Sequence, residues 1–165
     1  MKRPRIRTLL LAPLFLFFLL YLLGVAIVAL DDNALEAFDS SGAQARDIAI
    51  FGASGTAGDG IFKAALADPT IRTVQVITRR STPRIEQAVA SGRAEMIQHL
   101  DYLDYSAIRE QIAKVDTVYW AIGISALGAD QETYARIHVD FPLQFVKEWT
   151  KVNTGPDLAF HFISS

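Results

Sequence analysis

The chain is 165 residues long, is 51% apolar, contains no cysteine and carries a formal net charge of −2. This length is enough for one domain, and the lack of cysteine excludes a small scaffold held together by disulfides. Residues 33–165 contain 12 basic and 16 acidic residues. Because binding to a nucleic-acid backbone depends on clustered Lys and Arg, this acidic balance argues against a nucleic-acid partner.

An apolar segment follows a short basic tail at the N terminus. Residues 1–8 contain four basic side chains, and residues 9–30 carry no charge. A helix over these 22 residues would span about 33 Å, which exceeds the ~30 Å hydrocarbon core of a bilayer. The basic tail predicts a cytoplasmic N terminus. We therefore expect a single-pass membrane protein whose signal-anchor helix, residues 9–30, contacts the lipid bilayer. A cleaved signal peptide is the alternative.

The rest of the chain divides into a linker and one folded domain. Residues 31–46 are small and polar and predict a linker. From residue 47 to residue 165, short β-branched runs alternate with helical patterns. Strands are predicted at 48–51, 74–78, 94–98, 117–121 and 158–163, and helices at 57–67, 82–91, 105–113 and 131–151, the last kinked at Pro142. This alternation predicts an α/β fold with a doubly wound parallel sheet of about five strands in the order 3-2-1-4-5.

A glycine-rich loop joins the first predicted strand to the helix that follows it. Its glycines, Gly52, Gly55 and Gly58, have the spacing G-x-x-G-x-x-G. In a dinucleotide-binding loop the first glycine allows a tight turn, the second lets a pyrophosphate approach the backbone, and the third lets the helix pack close to the sheet. The helix N terminus then offers free N–H groups to the phosphates. The predicted phosphate site comprises Gly52, Ser54, Gly55, Thr56, Ala57 and Gly58.

The context of this loop favours dinucleotide binding over the alternative, a flexible turn, because the loop follows a strand and opens a helix.

The end of the second predicted strand indicates which dinucleotide is bound, NAD or NADP. It carries Arg79 and Arg80, and no carboxylate follows before Glu86. NAD sites place an acidic side chain there for the ribose 2′-hydroxyl, whereas a guanidinium favours the 2′-phosphate of NADP. We therefore predict NADP rather than NAD; a solvent-facing basic turn is the alternative.

These residues resemble the short-chain dehydrogenase/reductases, in particular their atypical and extended, epimerase/dehydratase-like members. The resemblance covers residues 47–165, and the sequence GASGTAG is similar to the glycine motif of that family. It implies a Rossmann-like fold and an adenine contact from Asp101, with Tyr102 adjacent. It also places Ala121 and Gly123 beside the nicotinamide-side ribose. His138 stands where many members of the family carry Asn.

The resemblance also bears on catalysis. The resemblance implies that catalysis uses a Ser or Thr near the end of the fifth strand and a Tyr-x-x-x-Lys pair downstream of it. No Tyr-x-x-x-Lys occurs in the sequence. No catalytic residue is therefore assigned. The three histidines lack metal-ligand spacing, so no metal site is assigned either. We expect residues 47–165 to be a C-terminally incomplete NAD(P)(H)-binding domain, the N-terminal half of the family's fold, without catalytic activity. The alternatives are a non-catalytic dinucleotide-sensing or scaffold module and a truncated product.

The side of the membrane on which this domain lies stays open. The charge bias places it beyond the bilayer, whereas cellular NADP(H) and this fold are mainly cytosolic.

Overall fold

The computed structural model describes residues 6–30, 46–155 and 157–163. The chain divides into two compact units, Met1–Ser40 and Ser41–Ser165. Most of the predicted basic tail and nearly all of the predicted linker lie outside the described residues. Strand β1 begins at Arg46, one residue inside the predicted linker, and the Arg46 N–H donates to the carbonyl of Thr70 over 3.1 Å.

The described part of the first unit is one helix, α1, Ile6–Leu30, with Pro13 inside it. This helix covers the whole of the segment predicted at residues 9–30. In the described part of the chain, no helix combines the length and the apolar character that crossing a membrane requires. The predicted membrane span stays a prediction.

The second unit is built on a sheet of five parallel strands. The sheet order is β3-β2-β1-β4-β5, so the predicted order is confirmed. The strands are β1 Arg46–Phe51, β2 Ile71–Thr78, β3 Glu95–Gln98, β4 Thr117–Trp120 and β5 Ala159–Phe162. The helices are α2 Thr56–Ala67, α3 Pro83–Ala90, α4 Arg109–Ile112 after a 3₁₀ turn at Ser106–Ile108, α5 Gln131–Ala135 and α6 Phe141–Val152.

The central strand is buried on both faces, as expected for a parallel sheet covered by helices on each side. Along β1, residues Ile48 to Phe51 are at most 1% exposed. Ile48 and Ile50 belong to a core cluster with Phe62 of α2 and other apolar side chains. The alternate positions belong to a second cluster, whose members include Trp120 of β4. The sheet therefore separates two cores, and both hold the end of β1 in place.

The predicted helix 131–151 is interrupted, although not at the predicted place. Residues Arg136–Asp140 form a π-helical turn between α5 and α6. Pro142 lies in the first turn of α6. Proline is tolerated in a first turn because the N–H that it lacks would have no helical acceptor there. The predicted kink at Pro142 is therefore replaced by a π turn that lies just before it.

Candidate functional site

The carboxyl end of β1 turns sharply at Gly52. Its φ angle is +77°, in the left-handed region that favours glycine. A Cβ at this position would lie 2.5 Å from the carbonyl oxygen of Ala121, just beyond the end of β4. The Ala121 N–H in turn donates to the carbonyl of Phe51 over 3.0 Å. The chain can pass this closely beside β4 only because residue 52 has no side chain.

Helix α2 starts directly beyond this turn with an uncapped N terminus. Gly55 is its N-cap residue and has no side chain that could accept a hydrogen bond. The Asp59 N–H donates to the Gly55 carbonyl over 2.8 Å, which is the first bond of the helix. The N–H groups of residues 56–58 therefore precede the helical bonding pattern and add to the positive end of the helix dipole. Such a terminus is suited to an anion.

Gly58 brings α2 close to the loop. The residue is buried, and an added Cβ would lie 2.1 Å from the carbonyl oxygen of Gly52. This is the close approach of helix and sheet that the glycine spacing predicts. Gly55 differs, because an added Cβ there would meet only the Gly52 oxygen, at 3.4 Å.

A cavity of about 460 Å³ opens at the carboxyl ends of β1, β2 and β4. In this sheet the strand order reverses at β1, and ligands of open α/β sheets bind in the crevice at such a point. We call this space, which lies at the carboxyl ends of the strands, the main cavity. Eight of the predicted site residues line it: Gly52, Ser54, Gly55, Arg79, Arg80, Tyr102, Ala121 and Gly123.

Two further cavities adjoin the glycine loop. The first of them, called the adjoining cavity below, has a volume of about 590 Å³. It is lined by the predicted residues Thr56 and Ala57 and by the loop after β4. The third cavity, of about 510 Å³, lies between the glycine loop and the start of α3, where Arg84 donates to Asp59 over 2.7 Å. Gly55 lines all three cavities and is therefore the residue on which they converge.

The turn after β2 presents two arginines to the main cavity. The hydroxyl of Thr78 donates to the carbonyl of Arg80 over 2.8 Å, and the Arg80 N–H lies 3.3 Å from the same hydroxyl. Both arginines are exposed, and within residues 46–155 and 157–163 neither forms an ion pair with a carboxylate. Their positive charge is therefore available to an anion.

Tyr102 also lines the main cavity. It is 4% exposed, and its ring meets that of Phe51 edge-on at 6.2 Å. Burial raises the pKa of its phenol, and the positive charge of Arg79 opposes that shift. Tyr102 is therefore neutral at physiological pH and offers a hydroxyl and an aromatic face rather than a charge.

Asp101 lies outside this arrangement. Its side chain is exposed and accepts a hydrogen bond from the Leu103 N–H over 2.9 Å. It lines none of the three cavities described above. The adenine contact that the family resemblance implies for Asp101 stays a prediction.

Two residues of the main cavity are not among the predicted site residues. Thr78 and Ile122 both line it. Each lies at or just after the carboxyl end of a parallel strand, the edge at which ligands of this sheet type bind. That rule would have identified them without any motif.

Comparison with known proteins identifies the fold. No protein-family model matches the sequence, and no curated protein matches it. A short-chain dehydrogenase/reductase from Saccharomyces cerevisiae is similar over 73% of this chain and 53% of its own, with 16% identity and a TM-score of 0.59. The fold is Rossmann-like.

Two further structures similar to this chain contain NAD. A UDP-glucuronic acid 4-epimerase from Bacillus cereus is 21% identical over 72% of this chain and 40% of its own, with a TM-score of 0.56. A uronate dehydrogenase from Agrobacterium tumefaciens is 18% identical over 73% of this chain and 41% of its own, with a TM-score of 0.52. The chain therefore spans about half, or less, of the length of each of these three solved structures.

Proposed function

We propose that residues 46–163 bind a nicotinamide dinucleotide, with the pyrophosphate against Gly55 and the N terminus of α2. The observation that carries this proposal is the uncapped first turn of α2, which opens beside Gly55 where three cavities converge. A phosphate placed there would accept from N–H groups that have no helical acceptor. Similar structures that contain NAD support the same ligand class.

The residues present fit such a ligand. The Cα of Gly55 leaves space that a Cβ would occupy, so a pyrophosphate can approach the backbone. The two cavities that Gly55 lines together with the loop after β4, of about 460 and 590 Å³, provide room for the two halves of a dinucleotide. When bound, a nicotinamide dinucleotide supplies hydride transfer. In this proposal the chain itself binds and orients the cofactor as a member of the short-chain oxidoreductase or epimerase lineage.

We propose NADP as the preferred cofactor because Arg79 and Arg80 line the main cavity and are exposed. A hydrogen bond to a charged group contributes about 1.5 to 3 kcal/mol. Arg79→Ala and Arg80→Ala should therefore each weaken NADPH binding about tenfold and change NADH binding little. Calorimetric titration of the full chain with both cofactors measures this difference.

The matched control for these variants is Arg109→Ala, which removes the same charge from α4, away from the cavities. Its guanidinium lies 3.8 Å from a Glu148 oxygen and is largely exposed. The control should bind both cofactors as the parent chain does. Equal affinity of the parent chain for NADPH and NADH would refute the role of the two arginines.

We propose that this chain binds its cofactor without turnover. In the related enzymes the Tyr of Tyr-x-x-x-Lys serves as the acid/base group, and the sequence contains no such pair. The alternative role, a dinucleotide sensor or scaffold that acts through a partner protein, needs no such pair either.

We also propose that α1 anchors the protein in a membrane with its N terminus in the cytoplasm. Support comes from the uncharged run at residues 9–30 and the basic tail before it. The anchored chain should stay in the membrane fraction after alkaline carbonate extraction. A C-terminal tag reports the side on which the domain lies. A tag that is accessible in intact cells places the domain outside the cytoplasm, and a tag that is accessible only after permeabilisation places it inside. Release of the chain by carbonate would contradict the anchor.

A further inference from the structure

A negative charge lies close to the proposed pyrophosphate site. Asp59 is in the first turn of α2, the turn whose free N–H groups the pyrophosphate would contact. It lines the third cavity together with Gly55 and Thr56, two residues of the proposed phosphate site. A carboxylate is favourable at a helix N terminus, but it repels a second anion placed at the same terminus. The charge of Asp59 therefore opposes the ligand that the surrounding loop suits.

Arg84 pairs with this carboxylate from the neighbouring helix. Its Nε donates to Oδ1 of Asp59 over 2.7 Å. Arg84 lies in the first turn of α3, and the N-cap hydroxyl of Thr82 accepts from the Ile85 N–H over 3.4 Å. This cap defines where α3 starts and hence the point from which the guanidinium reaches α2.

The pair balances the charge of the third cavity. Among the described residues that line this cavity, Asp59 and Arg84 alone carry a charge. Without the guanidinium the lining would be negative beside Gly55. The side chains of Arg84 and Asp59 are 44% and 40% exposed, and ion pairs in such positions contribute little to folding stability. What the pair supplies is therefore the charge balance next to the loop rather than stability.

The same bond also determines where the carboxylate lies. Side chains of an α-helix point toward its N terminus, so the carboxylate of Asp59, when not bonded to Arg84, can turn over the first turn of α2. There it would meet the N–H groups of residues 56–58, which precede the helical bonding pattern. A carboxylate in that place competes with a phosphate for the same donors.

We propose that Arg84 is a positioning residue for dinucleotide binding, which neutralises Asp59 and keeps its carboxylate away from the N terminus of α2. The proposal rests on the function proposed above. Arg84 acts on the ligand through Asp59 rather than by contact. This role differs from the one proposed for Arg79 and Arg80, because the pyrophosphate is common to NADP and NAD whereas the 2′-phosphate belongs to NADP alone.

The test is calorimetric titration of the full chain with NADPH and with NADH. Arg84→Ala should weaken the binding of both cofactors by the same factor, about threefold to tenfold, because it leaves an unbalanced charge at a helix N terminus. Arg84→Lys keeps the charge and should bind as the parent chain does. The matched control is Arg72→Ala, which removes the partner of Asp47 near the start of β1 and lines none of the three cavities. It should bind both cofactors like the parent chain.

A second-site variant separates this role from a structural one. Asp59→Asn removes the charge that Arg84 balances, so the double variant Asp59→Asn/Arg84→Ala should bind both cofactors at least as tightly as the parent chain. The ratio of parent to Arg84→Ala affinity should also fall as salt rises from about 0.05 M to about 0.5 M, because salt screens the repulsion between exposed charges. A merely structural role of Arg84 would show neither the rescue nor this dependence on salt.

Three results would overturn the inference. Arg84→Ala may bind both cofactors as tightly as the parent chain, it may lose affinity for NADPH alone, which would make Arg84 a contact of the 2′-phosphate, or the double variant may bind as weakly as Arg84→Ala. In each of these cases the parent chain still binds its cofactor, and the proposed function stands. If the parent chain binds neither cofactor, the proposed function fails and the inference falls with it.

Discussion

Gly58→Ala should destabilise the Rossmann-like domain by about 3 kcal/mol, the upper end of the usual range for overpacking. The new Cβ would lie 2.1 Å from the oxygen and 2.5 Å from the carbon of the Gly52 carbonyl, and 2.9 Å from the Cα of Ala53. All three are backbone atoms of the turn that joins β1 to α2, so no side chain can move aside. Either α2 shifts away from the sheet or the turn deforms, and both changes disturb the first turn of α2. Urea unfolding of the full chain, followed by circular dichroism, measures the loss.

The matched control is Gly60→Ala in the same helix. A Cβ there meets nothing within 4 Å. Alanine in a helix interior is more stable than glycine by about 0.5 to 1 kcal/mol, so this variant should be slightly more stable than the parent chain. Equal stability of the two variants would show that α2 does not pack against the loop as closely as described.

The sheet and its order could be predicted from the sequence because local patterns determine them. Runs such as Ile48 to Phe51 are apolar at every position, which is typical of strands buried on both faces. Alternation with helices then leaves few right-handed topologies. The glycines at 52 and 58 signal the close contacts of the loop, since only glycine fits beside the Ala121 and Gly52 carbonyls.

The details of the site that depend on tertiary contacts could not be predicted in this way. The π turn at Arg136–Asp140 has no local signal, and the proline beside it suggests a kink elsewhere. The bond between His138 and Ile124 joins residues 14 positions apart through a loop without regular structure. Asp101 accepts a hydrogen bond from the Leu103 N–H of its own turn, and the adenine contact that the family resemblance implies for it stays a prediction.

Gly55→Ala should separate binding from stability. The added Cβ would meet only the Gly52 oxygen, at 3.4 Å, which is an ordinary van der Waals distance. The backbone at Gly55, with φ −95° and ψ 168°, is extended and suits alanine. Alanine also lowers the conformational entropy of the unfolded chain, so the free energy of unfolding should change by less than about 1 kcal/mol. The methyl group would nevertheless occupy the space through which a pyrophosphate approaches the N terminus of α2.

The NADPH affinity of the full chain and of its Gly55→Ala variant, measured by calorimetric titration with Gly60→Ala as the control, tests the central claim most directly. We predict that the parent chain and Gly60→Ala bind one NADPH with equal affinity. Exclusion of the pyrophosphate should cost Gly55→Ala two or more charge-assisted hydrogen bonds, a loss of about a hundredfold in affinity at unchanged stability. Binding of NADPH by Gly55→Ala as tight as that of the parent chain, or no binding by the parent chain, would contradict a pyrophosphate site at this loop.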